Sequence, residues 1–204
     1  MSDKPILFSA PMVRALLAGT KTQTRRIINP QPVVNSAGLL RWDIPKLSVQ
    51  TDAEGLAWHM LISKGDRLYV REHWCTGGQH DHLAPRDLPQ EWAEPIEYIA
   101  DGTDNRNGRF RQGMHMPRWA SRLTLTVTDV RVQRLQEISI DDAAAEGVFV
   151  PEAQFAQQGK GAPVLAFAGL WESINGPGSW ESNPWVAAYS FTVEHCNIDQ
   201  ARAA

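Results

Sequence analysis

The chain is poor in several things, and each shortage excludes something. It has two cysteines, Cys75 and Cys196, which form neither a disulfide framework nor a metal-ligand spacing. Free thiols fit a reducing, cytoplasmic setting. No run of about 18 apolar residues occurs, which argues against a membrane-spanning helix. The stretch MSDKPILFSAP has no basic segment ahead of a long apolar one, so a secretory signal is not expected. Internal repeats and low-complexity tracts are absent. Residues 135–199 almost lack basic side chains: Lys160 stands alone against nine acids.

The basic residues are elsewhere, and they are clustered. Residues 106–134 hold seven arginines (106, 109, 111, 118, 122, 131, 134) and one acid, Asp129. Residues 14–26 hold Arg14, Lys21, Arg25 and Arg26 and no acid. The net charge of −3 argues against a protein that coats nucleic acid. Local clusters still steer an anionic ligand, whatever the net charge. The length of 204 residues predicts one domain with a full core, carrying insertions at about 30–62 and 76–121.

Residues 5–9 predict a short strand. A helix should follow, with Ser9 at its cap, Pro11 in its first turn and Gly19 as its left-handed stop. KTQTRRII (21–28) is polar and alternating, so it predicts extended chain. Residues 30–60 have weak periodicity and read as a loop or hairpin excursion. SKGDRLYVREHW (63–74) is the clearest strand: Leu68, Val70, Glu72 and Trp74 share one face. Glu72 therefore continues an apolar stripe, where a carboxylate is costly unless paired and where its pKa shifts. Residues 75–95 read as a loop, 96–101 as a short strand and 102–122 as an irregular basic loop. Residues 123–135 predict a long strand. A capped helix is expected over 139–148, started by Ser139 and Asp142 and closed by Gly147. Residues 164–175 predict a helix and 185–193 a last strand, with a frayed tail after His195. Strands outnumber helices, which predicts an α+β fold: a small mixed barrel with short flanking helices.

His80 and His82 flank Asp81, but no third ligand spacing supports a metal, and no cofactor motif is present. The more specific set is Lys21, Thr24 and Glu72. A lysine crowded by Arg25 and Arg26 is pushed toward its neutral form. It can then accept a proton from Thr24, while Glu72 orients it or assists an amine leaving group.

LLAGTKTQTRR (16–26) followed by GDRLYVREHW (65–74) resembles the ASCH family of the PUA-like superfamily, whose signature is ILxGxKTxTxR and then GDxLxVxE. MPRWASR, the helix with DAxxEG, and SINGPGSW…NPWV are similar to longer ASCH-like proteins, often encoded in bacterial prophages. The resemblance implies a PUA-like pseudo-barrel of five or six strands with a cleft. It implies binding of RNA or a modified nucleobase. It also implies, for a small bacterial branch, hydrolysis of acylated cytidine by a Lys–Thr–Glu triad, here Lys21, Thr24 and Glu72.

Two functions are therefore expected from one basic cleft. The first is an amidohydrolase on an acylated nucleoside, with Lys21, Thr24 and Glu72 as the catalytic residues. The second is a non-catalytic RNA or modified-base module, in which Lys21, Arg25 and Arg26 meet phosphates, Glu72 accepts from a base amine, and Trp74 or Trp119 stacks on the base. Arg118, beside Trp119, belongs to that binding set. A ribonuclease using His73 or His115 is a third reading.

Overall fold

A computed structural model describes residues 2–44, 47–92, 96–102 and 107–201. The chain runs β1 (Asp3–Leu7), α1 (Ala10–Leu17), β2 (Gln23–Ile27), then β3 (Val33–Val34), β4 (Leu40–Ile44), β5 (Leu47–Thr51) and α2 (Ala53–Ala57). It continues through β6 (Arg67–Arg71), β7 (Trp74–Cys75), β8 (Glu97–Tyr98) and β9 (Thr124–Arg134). The last part is α3 (Ile140–Ala145), α4 (Glu152–Gln158), α5 (Ala162–Asn175) and β10 (Trp185–Glu194). The fold is α+β, as the strand-rich pattern predicted. The main sheet has the order β1-β6-β9-β10-β2. It is open rather than closed into the expected barrel, because β1 and β2 are edge strands, each hydrogen-bonded on one side among the described residues.

The chain falls into two compact units, each built from separated stretches. The first takes Met1–Gly19, Gly65–Thr126 and Thr192–Ala204; the second takes Thr20–Lys64 and Val127–Phe191. The long strands β9 and β10 contribute residues to both.

In the first unit β1 lies parallel to β6, with Asp3 opposite Arg67 and Ile6 opposite Val70. β6 lies antiparallel to β9, with Leu68 opposite Leu125. Leu68 and Val70 are buried as the stripe predicted, but Arg67 and Tyr69 are buried too, because the strand is covered on both faces. Trp74, Leu88, Met116 and Ala120 form a separate small core. The tail is not frayed over residues 196–201. Asn197 Nδ2 donates to the carbonyls of Ser121 (2.7 Å) and Arg118 (3.0 Å), and Asp199 pairs with Arg118.

In the second unit β2 pairs antiparallel with β10, with Thr24 opposite Tyr189 and Arg25 opposite Ala188. Strands β3, β4 and β5 form a three-stranded antiparallel meander followed by α2, one strand more than a simple hairpin excursion. The pattern hides this because β3 is two residues long and exposed. Leu40, Trp42 and Val49 face inward, where they join Leu56, Val132 and Tyr189 in one core, with the half-buried Ile44 packed against it. A second core sets Leu135, Ile138 and Ala143 against Phe167 and Trp171 of α5.

The helix α3 begins as the sequence predicted. Ser139 Oγ accepts from the Asp142 N–H at 3.0 Å, and Gly147 closes the end with φ +76°. Removing such a cap costs about 1 kcal/mol. Ser139→Ala is therefore expected to lower the unfolding free energy by that amount, seen by circular dichroism as a lower urea midpoint at an unchanged slope.

Candidate functional site

Gly19 (φ +71°) ends α1, and the chain turns into the basic stretch. Lys21 does not belong to β2. It forms an isolated antiparallel bridge with Glu146, just past the end of α3. The Thr22 N–H donates to the Ala145 carbonyl at 2.8 Å, and the Thr22 carbonyl accepts from the Phe191 N–H at 2.9 Å. The segment is clipped on both sides. This is the local irregularity that separates Lys21 from the regular strand, which starts at Gln23.

Lys21 Nζ donates to Glu146 Oε2 at 2.7 Å and to the Glu146 carbonyl at 2.9 Å, and Lys21 is 0% exposed. An ammonium at the carboxyl end of a helix also meets its unpaired carbonyls and the negative end of its dipole. Arg25 Nη1 donates to Glu146 Oε1 at 3.0 Å and to Gln23 Oε1 at 2.6 Å. Its Nη2 donates to Asp142 Oδ2 at 3.1 Å. Asp142 Oδ1 accepts from Gln23 Nε2 (3.0 Å) and from Arg131 Nη2 (2.9 Å). The Arg25 guanidinium lies over the Phe167 ring, 5.7 Å from its centre.

These groups shift one another. Burial pushes the Lys21 ammonium below its ordinary pKa, Arg26 and Arg25 push the same way, and Glu146 opposes them. Burial also lowers Arg26, against the pull of Glu146. Burial raises the Asp142 carboxyl, but Arg131, Gln23 and Arg25 together hold it below its ordinary value. The Tyr189 phenol, opposite Thr24, is pushed up to about 12 by burial. The linked side chains carry four cations (Lys21, Arg25, Arg26, Arg131) against three carboxylates, Asp142, Glu146 and Asp129, the last 3.5 Å from Arg131. The cluster is net positive.

Glu72 sits in the first unit and is 2% exposed, as its place on the apolar stripe predicted. Its carboxylate takes a bidentate grip from Arg122: Nε to Oε1 at 2.9 Å and Nη2 to Oε2 at 3.0 Å. Arg122 also donates to Asp101 at 2.7 Å and 2.9 Å and stacks on Tyr98, 3.9 Å from the ring centre. Burial raises the Glu72 carboxyl above its ordinary value, with Arg122 pulling it back.

The expected site residues thus divide. Lys21, Thr24, Arg25 and Arg26 belong to the second unit, and Glu72, Trp74, Arg118 and Trp119 to the first. Lys21 and Arg25 meet through the shared carboxylate of Glu146. Thr24 is buried in β2. Trp74 is 0% exposed and packs edge-on against Trp119, ring centres 6.3 Å apart. Arg118 is engaged by Asp3 and Asp199 at 2.6 Å each. His73 Nδ1 accepts from the Gly113 N–H at 3.0 Å, and Asp81 accepts from the Arg109 N–H at 2.9 Å. Among the described residues no group of three His, Cys, Asp or Glu side chains is placed to hold a metal ion.

In sequence Asp142 marks a helix start and Glu146 belongs to the DAxxEG stretch, yet they are the direct partners of Lys21 and Arg25. The signal was present. DAxxEG spaces two carboxylates at i and i+4, on one helix face. They lie in the acidic segment, which is the natural complement of the basic 14–26 stretch.

No family model, no curated protein and no solved structure matches the chain.

Proposed function

We propose that the chain binds RNA, a nucleoside or a modified nucleobase through the net-positive cluster around β2, in a fold of PUA-like kind. One observation carries this reading: Lys21, Gln23, Thr24 and Arg25 are all buried, with more cations than carboxylates around them. An apolar replacement of buried ion pairs is often as stable or more stable, so holding β2 to α3 does not by itself call for so many buried charges. A lasting positive excess favours an anionic ligand. Lys21 and Arg25, held by Glu146, set the potential. Arg26, at the partly exposed end of the cluster, is the residue that meets phosphate. The resemblance of 16–26 and 65–74 to ASCH sequences supports the same reading.

The test is the affinity for a short single-stranded RNA measured against salt. Each phosphate contact contributes a slope of about −0.7 in log K against log salt for single strands. Two or three contacts give a slope of roughly −1.4 to −2, and Arg26→Ala should flatten it by one contact. A response independent of salt overturns the reading.

Amide hydrolysis is the second reading, favoured by one fact: burial weakens the hold of Lys21 on its proton. Against it, Nζ donates to both a carboxylate and a carbonyl, whereas a base for Thr24 must offer its lone pair. Loss of the acyl group from N-acylated cytidine, followed by absorbance, decides this. Turnover abolished by Thr24→Ala supports hydrolysis, and no turnover in the wild type sinks it for that substrate.

A further inference from the structure

The second unit contains a cavity of about 630 Å³, which meets the cluster just described at Arg131 and Asp129. That size falls in the range of pockets that hold small organic ligands. Its apolar walls are Ala53 and Ala57 of α2 and Val130 and Val132 of β9. Trp58 stands at its edge.

Trp58 is 82% exposed. An indole left that open has no packing role to explain it, although single exposed apolar residues are common. Here the exposure is combined with a firm mount. Asp52 Oδ1 caps α2 by accepting from the Gly55 N–H at 2.7 Å, and Leu56 of the same helix is fully buried. The Trp58 N–H donates back to the Gly55 carbonyl. The backbone that carries the ring is fixed while the ring itself is free to take a flat partner. The aromatic residues the sequence offered for stacking, Trp74 and Trp119, are packed into a core instead.

The polar rim narrows the partner. Glu54 and Asp129 are acceptors at the cavity. Lys64 is exposed there and has no ion pair among the described residues. Arg131 lines the same cavity and donates to Asp142, which links the pocket to the Arg25 and Gln23 network in the same unit.

We infer that this cavity holds one unpaired nucleobase carrying an exocyclic amine, stacked on Trp58, with its phosphate at Lys64. The inference rests on the nucleic-acid reading above and deepens it. An aromatic face accepts any base, and a carboxylate acceptor selects those with an amine to donate. Lys64 then supplies the point charge for the phosphate, while Arg131 stays with its carboxylates.

The experiment is isothermal titration of the full chain with cytidine 5′-monophosphate, uridine 5′-monophosphate and cytidine, beside the RNA oligonucleotide. The wild type should bind the cytidine nucleotide more tightly than the uridine one. Trp58→Ala should weaken binding roughly tenfold, and Trp58→Phe should retain most of it. Lys64→Ala should weaken the nucleotide and leave cytidine unchanged. Both positions are exposed, so these variants keep the fold. If Trp58→Ala binds the cytidine nucleotide as the wild type does, or if the wild type binds RNA but no mononucleotide, the pocket is wrong and the RNA reading stands. If the wild type binds neither nucleotide nor RNA, the reading beneath it has failed and the pocket falls with it. In that case the open indole and the neighbouring exposed Leu61 mark a protein contact instead.

Discussion

Glu146→Ala is expected to destabilise the protein by about 3–5 kcal/mol, the largest effect of any single change outside the apolar cores. The carboxylate is the meeting point of two buried cations: Lys21 reaches it at 2.7 Å and Arg25 at 3.0 Å. Without it both charges stay in a desolvated place with too few partners. The reverse truncation is milder. Lys21→Met leaves Glu146 with Arg25 and removes the group whose burial is most costly, so about 1–2 kcal/mol is expected. The double variant Lys21→Met with Glu146→Leu should cost less than Glu146→Ala alone, because it removes a charge and its partner together. Urea unfolding at neutral pH measures all three. An unchanged midpoint for Glu146→Ala would mean that the cluster does not hold β2 to α3.

The uneven legibility of the chain has a physical pattern. Elements whose signal is local were readable: the stop at Gly19, the Ser139 cap, and the alternation of Leu68 and Val70 that placed Glu72 in an apolar stripe. Each depends on residues within a turn or a strand of one another. The meander of β3, β4 and β5 was readable no further than a loop or hairpin excursion, because its strands are short and few of their residues, chiefly Leu40, Trp42 and Val49, turn inward. The partners of the basic stretch were not readable as partners for another reason. Lys21 and Glu146 lie 125 residues apart, and no local rule links them. Charge segregation was the trace they left. Four basic residues in 14–26 and a run of acids beyond 135 are what two complementary surfaces look like when written out in sequence. The aromatic residues misled for a similar reason. Trp119 stands beside Arg118 in sequence, but Arg118 is drawn to Asp3 and Asp199 while the Trp119 indole packs against Trp74. Trp58, in a stretch of weak periodicity, carried no mark.

Arg122→Leu should produce a loss of stability that grows with pH. Glu72 is buried and its main counter-charge is the bidentate Arg122 guanidinium. Burial already raises its carboxyl above the ordinary 4.5 even with that partner in place. The folded protein therefore holds this proton more tightly than the unfolded chain does. By linkage, the contribution of Glu72 to stability is fullest below 4.5, falls as pH rises toward the raised folded value, and is level above it. Taking away Arg122 removes the pull that opposes burial, and Asp101, which also raises the carboxyl, loses its own bonds to the same guanidinium. The folded value moves higher and the falling window widens. We expect a deficit of about 1 kcal/mol near pH 4.5, from the lost hydrogen bonds and the lost stacking on Tyr98. It should reach about 3 kcal/mol or more by pH 7.5, where an ionised buried carboxylate has lost its partner. Glu72→Gln placed on the same background should remove the pH dependence, since the amide does not titrate. Urea unfolding at the two pH values gives the comparison. A deficit equal at both would show that Glu72 reaches solvent once Arg122 is gone, and that the apolar stripe does not enclose it.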